Sequence, residues 1–490
     1  MFWKKKNKVD LSRIAFFDGK RELTYARFSS DIATTAAYLE KELEASCTLV
    51  AISPAVGPYL HWVLHAACTI RGVATLAIRS GQKISKDILV LGPADATSDL
   101  SFLPYDYTVL NGARVKQVDD KGKGFNQFVK VLTAKKSTIN RIILTSGSTG
   151  QPKAVPLTNA VVMARRELTT KQLPLKPDDK VLWSLGYDTA GGFNGPIEAL
   201  LAGATVLLNL RSNDRETFAL LLRQSTRLIT VPSLLAVLLE HVSQPIEGAD
   251  RRLVMTTGSR IEPKIAARCK DLLAADVRSF YGSTEVGAIS EIGAEKLDGE
   301  SGNVGPLYRG VQLAFDDEND AKSTEVSEGP FTCRPLKFKT PWMAAGYWDN
   351  GTVTPFTDGW FRPGDVGFLN QNNELVIASR SDDVLNYNGE KMDALAVESR
   401  LRALAGVDDA FITVSKFRGR DSLVVMAVSS LDQQALQSQL TNALAPKAFN
   451  LIQAQRIPRN HMGKIERTRL TRYCQKLLED SMAGHANKMQ

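Results

Sequence analysis

Between about Leu23 and Leu210 the chain alternates stretches of helical period with short unbroken apolar or β-branched runs. These runs are Thr48-Leu49-Val50-Ala51-Ile52, Ile142-Ile143-Leu144 and Ala204-Thr205-Val206-Leu207-Leu208. Runs without a polar face predict strands covered on both sides, and their alternation with helices predicts an α/β fold. Leu228-Ile229-Thr230-Val231 and Arg252-Leu253-Val254-Met255 continue the pattern. From Gly305 to Phe368 glycine, proline and aromatic residues increase and helical period fades, which predicts a smaller β subdomain; Gln371-Asn372-Asn373-Glu374 reads as a hairpin turn. Near Ser379-Arg380-Ser381-Asp382-Asp383 the pattern changes to a strand, a helix from about Ala394, a strand pair around Ala410–Val414 and Leu423–Val428, and two further helices. The expectation is a multidomain α/β chain. Its large N-terminal α/β domain, residues 1–379, includes the small β subdomain, and residues 380–490 form a small α+β domain.

Composition narrows the classes. A chain of 490 residues exceeds what one core serves, and 43% hydrophobic residues can fill two or more. The formal charge of +8 attracts anions: nucleotides, coenzyme A, an acidic carrier protein or nucleic acid. Nucleic-acid binding calls for clustered basic residues interleaved with aromatics, and only Lys4-Lys5-Lys6 comes near, so it is set aside. The five cysteines are scattered and contain no CxxC pair, which argues against a disulfide framework or a structural zinc site. His61, His65 and Cys68 follow i, i+4, i+7 spacing compatible with metal ligands, but they sit in a helix that reads as packing and lack a fourth ligand. The basic start runs into polar Val9-Asp10-Leu11-Ser12-Arg13 rather than a signal-peptide core, and no apolar run reaches the roughly 20 residues of a membrane span. A cytoplasmic enzyme is expected.

Candidate chemistry begins at Thr145-Ser146-Gly147-Ser148-Thr149-Gly150-Gln151-Pro152-Lys153, directly after Ile142-Ile143-Leu144. Small residues after a buried strand let backbone N–H groups wrap an anion; Ser146, Ser148 and Thr149 add hydroxyls and Lys153 a charge. Lys153 follows Gly150 by three residues rather than one, which fails the Walker spacing and disfavours a P-loop NTPase. Taken alone, a Ser/Gly loop after a strand is as often a plain turn.

The nine-residue string resembles the phosphate loop of the adenylate-forming superfamily of acyl-CoA synthetases, nonribosomal-peptide adenylation domains and beetle luciferases, and further motifs follow in that family's order. Phe280-Tyr281-Gly282-Ser283-Thr284-Glu285 is similar to the segment whose aromatic ring lies against adenine, whose threonine approaches the α-phosphate and whose glutamate helps hold Mg²⁺. The resemblance implies those roles for Tyr281, Thr284 and Glu285, with Thr149 a further possible metal contact; a carboxylate sharing Mg²⁺ with phosphate oxygens is sound chemistry. Thr257-Gly258-Ser259-Arg260 stands where relatives carry a small-residue turn bordering adenine and acyl group, which implies nucleotide contact for Gly258 and Ser259. Arg260 departs from that pattern and either pairs within the fold or faces an acidic substrate. Gly346-Tyr347-Trp348 and Asp358-Gly359-Trp360-Phe361-Arg362-Pro363-Gly364-Asp365 resemble the stretch that ends in Thr-Gly-Asp, with Pro363 in place of the threonine. By resemblance Asp365 accepts hydrogen bonds from the ribose hydroxyls, as an ionised carboxylate can.

Arg380-Ser381-Asp382 resembles the family's hinge. This implies a mobile C-terminal domain pivoting at Asp382 and an Arg380 contact to ribose or phosphate. Pro458-Arg459-Asn460-His461-Met462-Gly463-Lys464-Ile465-Glu466-Arg467 is similar to the terminal loop whose lysine, here Lys464, neutralises charge as the acid displaces pyrophosphate. Many relatives carry a lysine of the thioester half-reaction where this chain has Asn386. Gly389 is retained, which leaves room for a pantetheine arm, and relatives without that lysine also form thioesters.

The acyl pocket is implied at Leu185-Gly186-Tyr187-Asp188-Thr189-Ala190-Gly191-Gly192-Phe193. Tyr187 and Asp188 match amino-acid activators, and Gly191 matches acyl and aryl ligases. Asp188 either pairs with an ammonium group or caps the next helix. The expected activity is ATP- and Mg²⁺-dependent formation of an acyl-adenylate from a small carboxylic acid. Transfer to coenzyme A, or to the phosphopantetheine of an acyl or peptidyl carrier protein, is expected next. A catalytically inactive binding protein on the same fold is the rival of another class; Lys464, Glu285 and Asp365 are all present, which speaks against it.

Overall fold

Ile139–Thr145 is buried along its centre, as its apolar run predicts, and anchors an eight-stranded sheet. A computed structural model places residues 9–78, 85, 87–93, 102–104, 121–145, 152–172, 174–208, 215–297, 302–316, 327–328, 331–380, 384–387, 390–417, 420–459 and 465–486, and these are the residues described. Parallel pairing joins Ile139–Thr145 to Ala74–Ala77, Leu49–Ile52, Leu89–Gly92 and Phe102–Pro104 in turn. On its other side Lys153–Thr158 returns antiparallel, followed by Gly346–Asp349 and Thr352–Pro355. The second eight-stranded sheet runs Gly287–Gly293, Asp276–Ser283, Leu253–Thr256, Arg227–Thr230, Lys180–Trp183, Thr205–Leu208, Ile14–Phe17 and Glu22–Thr24, parallel through its centre.

Helix starts and stops follow local chemistry. Thr24 caps Tyr25–Glu42 by accepting from the Arg27 N–H, and Gly57–Arg71 stops at Gly72, whose left-handed φ of 77° suits glycine. Tyr25, Phe28 and Tyr59 from these two helices join Phe16 and Phe125 in one aromatic cluster.

Chain contacts divide the protein into two units: Met1–Lys296 with Tyr308–Gln312 and Lys339–Phe361, and Leu297–Leu307 with Leu313–Phe338 and Arg362–Gln490. The first unit holds both large sheets. In the second, Asn303–Pro306, Glu374–Arg380, Asp365–Leu369, Arg334–Lys339 and Gln312–Phe315 form a five-stranded sheet, and the hairpin at Gln371–Glu374 turns through Asn373 at φ 58°. Val407–Phe417, Arg420–Ser429 and Phe449–Gln453 form a three-stranded sheet. The helices Ala394–Arg402 and Gln433–Leu444 contribute to one of its apolar clusters, and Arg467–Ala486 contributes to another.

The stretch Gly305–Phe368 does not stay together. Gly346–Asp349 leaves the β subdomain because Trp348 pairs with Ala154 and packs on the cluster of Ala51, Leu76, Ile78, Val90 and Ile142. Among the described residues no helix is long and apolar enough to cross a membrane.

Candidate functional site

The phosphate-loop strand ends at Thr145 and its return strand starts at Lys153; the two residues are register partners, and the Thr145 hydroxyl donates to the Lys153 carbonyl at 3.3 Å. Ser146, Gly147, Ser148, Thr149, Gly150 and Gln151, which join them, lie outside the described residues. Lys153 Nζ stands 4.8 Å from the ring centre of Tyr347, a cation–π distance. Tyr347 reaches this place because its strand adds to Lys153–Thr158 through the Trp348–Ala154 pair. Its hydroxyl donates to Glu285 Oε1 at 3.4 Å, and burial together with the Glu285 carboxylate raises the phenol's pKa, so it remains a donor. Lys153 and Glu285, far apart in sequence, are thus bridged by one tyrosine.

The segment carrying Glu285 is tightly held. Tyr281 and Gly282 end the strand Asp276–Ser283, which folds back antiparallel onto Gly287–Gly293. A β-carbon at Gly282 would lie 2.2 Å from the Gly287 carbonyl oxygen, so only glycine fits the close approach. Beyond it, the Thr284 carbonyl accepts from Arg165 Nη2 at 2.8 Å and the Glu285 carbonyl from the Ala344 N–H at 2.7 Å. Glu285 is buried at 8% exposure. On the neighbouring strand Leu253–Thr256 the chain turns at Gly258 with φ 92°, and Ser259 and Arg260 follow it, exposed.

The segment of residues 185–193, expected to border the acyl group, rests on a buried arginine. Arg141 is fully buried in the phosphate-loop strand. Its guanidinium donates to Thr75 Oγ1 at 3.0 Å and to the Tyr187 carbonyl at 2.6 Å, meets His61 Nε2 at 3.1 Å and lies over the Phe193 ring. The His61 ring stacks on Tyr187 at 4.4 Å, and His65 Nδ1 meets Thr75 Oγ1 at 2.9 Å. Burial first, then the Arg141 charge, holds both imidazoles well below the usual histidine range and hence neutral; burial brings Arg141 itself down to about 9. The helical spacing of His61, His65 and Cys68 therefore serves packing around Arg141. Among the described residues no three His, Cys, Asp or Glu side chains are grouped to hold a metal.

Asp188 does not cap the following helix. Thr189 does, accepting from the Gly192 N–H at 3.0 Å, because it is the residue immediately before Ala190–Ala202 and has extended backbone there. The Asp188 carboxylate instead folds over Gly186, where a β-carbon would lie 2.3 Å from Oδ1. Gly191 sits close under Leu185, and Gly195 is pressed on the Trp183 indole, which a β-carbon would meet at 1.6 Å.

In the second unit Asp365 and Arg380 are register partners on adjacent strands; Arg380 Nε stands 3.2 Å from Asp365 Oδ1 and its Nη2 donates to the Pro363 carbonyl at 3.0 Å. Asn386 falls on the strand Val384–Tyr387, opposite Lys391. Asp382, Gly389 and Lys464 lie outside the described residues. Sequence reasoning missed Arg141, Arg165 and the bridging role of Tyr347. The available signal for the first was a lone charge inside an otherwise apolar strand.

Comparison with known proteins shows the family and the fold. The family model described as "AMP-binding enzyme" matches residues 3–348. An indoleacetate–CoA ligase of Aromatoleum aromaticum is 25% identical over 66% of this chain and 65% of its own length. A 2-succinylbenzoate–CoA ligase of Bacillus licheniformis is 25% identical over 67% of this chain and 69% of its own. The matched stretch thus spans about two thirds of these curated relatives. The crystal structure of ATP-bound MatB from Rhodopseudomonas palustris superposes with a TM-score of 0.78 at 18% identity, covering 95% of this chain and 97% of that one, and shares its fold.

Proposed function

Because the chain belongs to the AMP-binding enzyme family, we propose that it is an AMP-forming acid–thiol ligase: it joins a small carboxylic acid to the α-phosphate of ATP and passes the acyl group to a thiol. The observation that carries this reading is the Lys153–Tyr347–Glu285 bridge, which sets a cation and a buried carboxylate at the root of the phosphate loop. Cation and carboxylate together suit a nucleotide's phosphates and the divalent ion they carry. An ion here would take Glu285 and phosphate oxygens, with Thr149 a further possible contact, a donor set that suits nucleotide-bound Mg²⁺. Mg²⁺ would supply charge neutralisation on the β- and γ-phosphates.

In the first half-reaction the loop hydroxyls and Lys153 hold the phosphates. By resemblance to the family, Thr284 and Lys464 would neutralise charge developing at the α-phosphorus while a carboxylate oxygen attacks it and pyrophosphate leaves. Tyr281 with Gly258 and Ser259 borders the adenine, and Asp365 and Arg380 take the ribose. In the second, the domain after Asp382 turns, the thiol enters past Gly389, its sulfur attacks the acyl carbonyl and AMP departs. Coenzyme A is the proposed acceptor, supported by the CoA-ligase names of both curated relatives. A carrier-protein phosphopantetheine is the second reading, favoured by the chain's +8 charge.

Radiolabelled pyrophosphate exchange into ATP, run with aryl, fatty, dicarboxylic and amino acids, tests the first step. Exchange dependent on one acid class is the expected result. No exchange with any acid at high protein concentration would remove the ligase reading.

A further inference from the structure

Arg165 lies on the helix Asn159–Gln172 and is 4% exposed. Its guanidinium is spent on backbone carbonyls: Nη2 donates to Thr284 at 2.8 Å and to Glu285 at 3.5 Å, and Nε donates to Trp342 at 3.1 Å. Trp342 is fixed in turn, its indole N–H donating to the Ala288 carbonyl at 2.9 Å. Two residues further on, the Ala344 N–H donates to the Glu285 carbonyl. One cation therefore ties the chain on both sides of the glutamate to the segment that leads into Gly346–Asp349 and Tyr347. A buried guanidinium is expensive to desolvate, and this one makes its hydrogen bonds to backbone carbonyls. Three backbone carbonyls on two separate segments are held by this one planar, multiply donating cation, a task that neither an apolar side chain nor a lysine performs in the same way.

We propose that Arg165 is a positioning residue for the divalent ion: by fixing the Thr284 and Glu285 carbonyls it sets the direction of the Glu285 carboxylate toward a metal-bound nucleotide. This rests on the reading of Glu285 given above. The effect falls on metal coupling rather than on nucleotide or acid contact, because the hydrogen bonds of Arg165 go to the backbone that carries Glu285.

The test is calorimetric titration of the full-length protein with a non-hydrolysable ATP analogue, with Mg²⁺ and in EDTA, reading the factor by which Mg²⁺ tightens binding. In Arg165→Met that factor is expected to fall about tenfold, the size associated with lost hydrogen bonds to a charged group, while affinity in EDTA stays within about twofold. Arg165→Lys, which keeps the charge but cannot span both carbonyl groups, is expected in between. Glu285→Gln serves as the reference. If it leaves the factor unchanged, the reading of Glu285 fails. If it lowers the factor but folded Arg165→Met does not, only the positioning role is overturned. Should Arg165→Met not fold, an unchanged factor in Arg165→Lys overturns it.

Discussion

Glu198 and its neighbours show how much the residue scale is governed by burial. Its carboxyl sits on the helix Ala190–Ala202 and is buried, and desolvation pushes its pKa up to about 8 even though the Thr169 hydroxyl, Arg166 and Arg165 pull the other way. The folded protein therefore keeps a proton that the unfolded chain has released above about pH 5. Stability is expected to fall as the pH rises from about 5 to about 8 and to level beyond that. Glu198→Gln removes this component, so its denaturation midpoint should decline less over the same interval, as urea unfolding at several pH values will measure. Equal declines in the two proteins would place the proton elsewhere. Arg141 is the opposite case, a cation whose burial is relieved by Thr75, the Tyr187 carbonyl, the His61 ring and the charge of Asp188. Such partners are set by the fold and cannot be counted along the chain.

At the scale of elements, the helix Ala190–Ala202 is the part on which acid recognition is proposed to depend, and its start rests on Thr189. Thr189→Ala leaves the Gly192 N–H without its side-chain acceptor and is expected to lower stability by about 1 kcal/mol. Thermal unfolding checks it, and an unshifted midpoint would mean that the cap is replaced. The strands Leu49–Ile52, Ile139–Thr145, Thr205–Leu208, Arg227–Thr230 and Leu253–Thr256 were legible because each is an apolar run buried on both faces. Two elements were not. Phe449–Gln453 carries too little alternation to announce itself and is a strand because Arg420–Ser429 offers it a parallel edge. Gly346–Asp349 reads like its glycine- and aromatic-rich surroundings, yet Trp348 finds its apolar surface on a sheet whose strands, its hairpin partner Thr352–Pro355 apart, lie between Leu49 and Thr158. For the site, local strings pointed to Lys153, Tyr281, Gly282, Thr284 and Glu285, since phosphate and metal chemistry restricts residue type over short spans. Arg165 and Tyr347, proposed to orient them, act from other elements: Arg165 carries no local string, and the string Gly346-Tyr347-Trp348 does not announce the contact of Tyr347 with Glu285.

For the whole molecule, the first unit carries both large sheets, with the strands that end at Thr145 and begin at Lys153, the buried Glu285 and the segment of residues 185–193, while Asp365 and Arg380 pair within the second. The central claim is chemical: the acid's own oxygen attacks the α-phosphorus of ATP and leaves with AMP when the thiol takes the acyl group. An acid that supports pyrophosphate exchange, labelled with ¹⁸O in its carboxylate and turned over with ATP, Mg²⁺ and coenzyme A, tests this directly by mass spectrometry of the products. The account predicts one ¹⁸O in AMP and none in inorganic phosphate or pyrophosphate. Label in inorganic phosphate with formation of ADP, or thioester formed with unlabelled AMP, would contradict it.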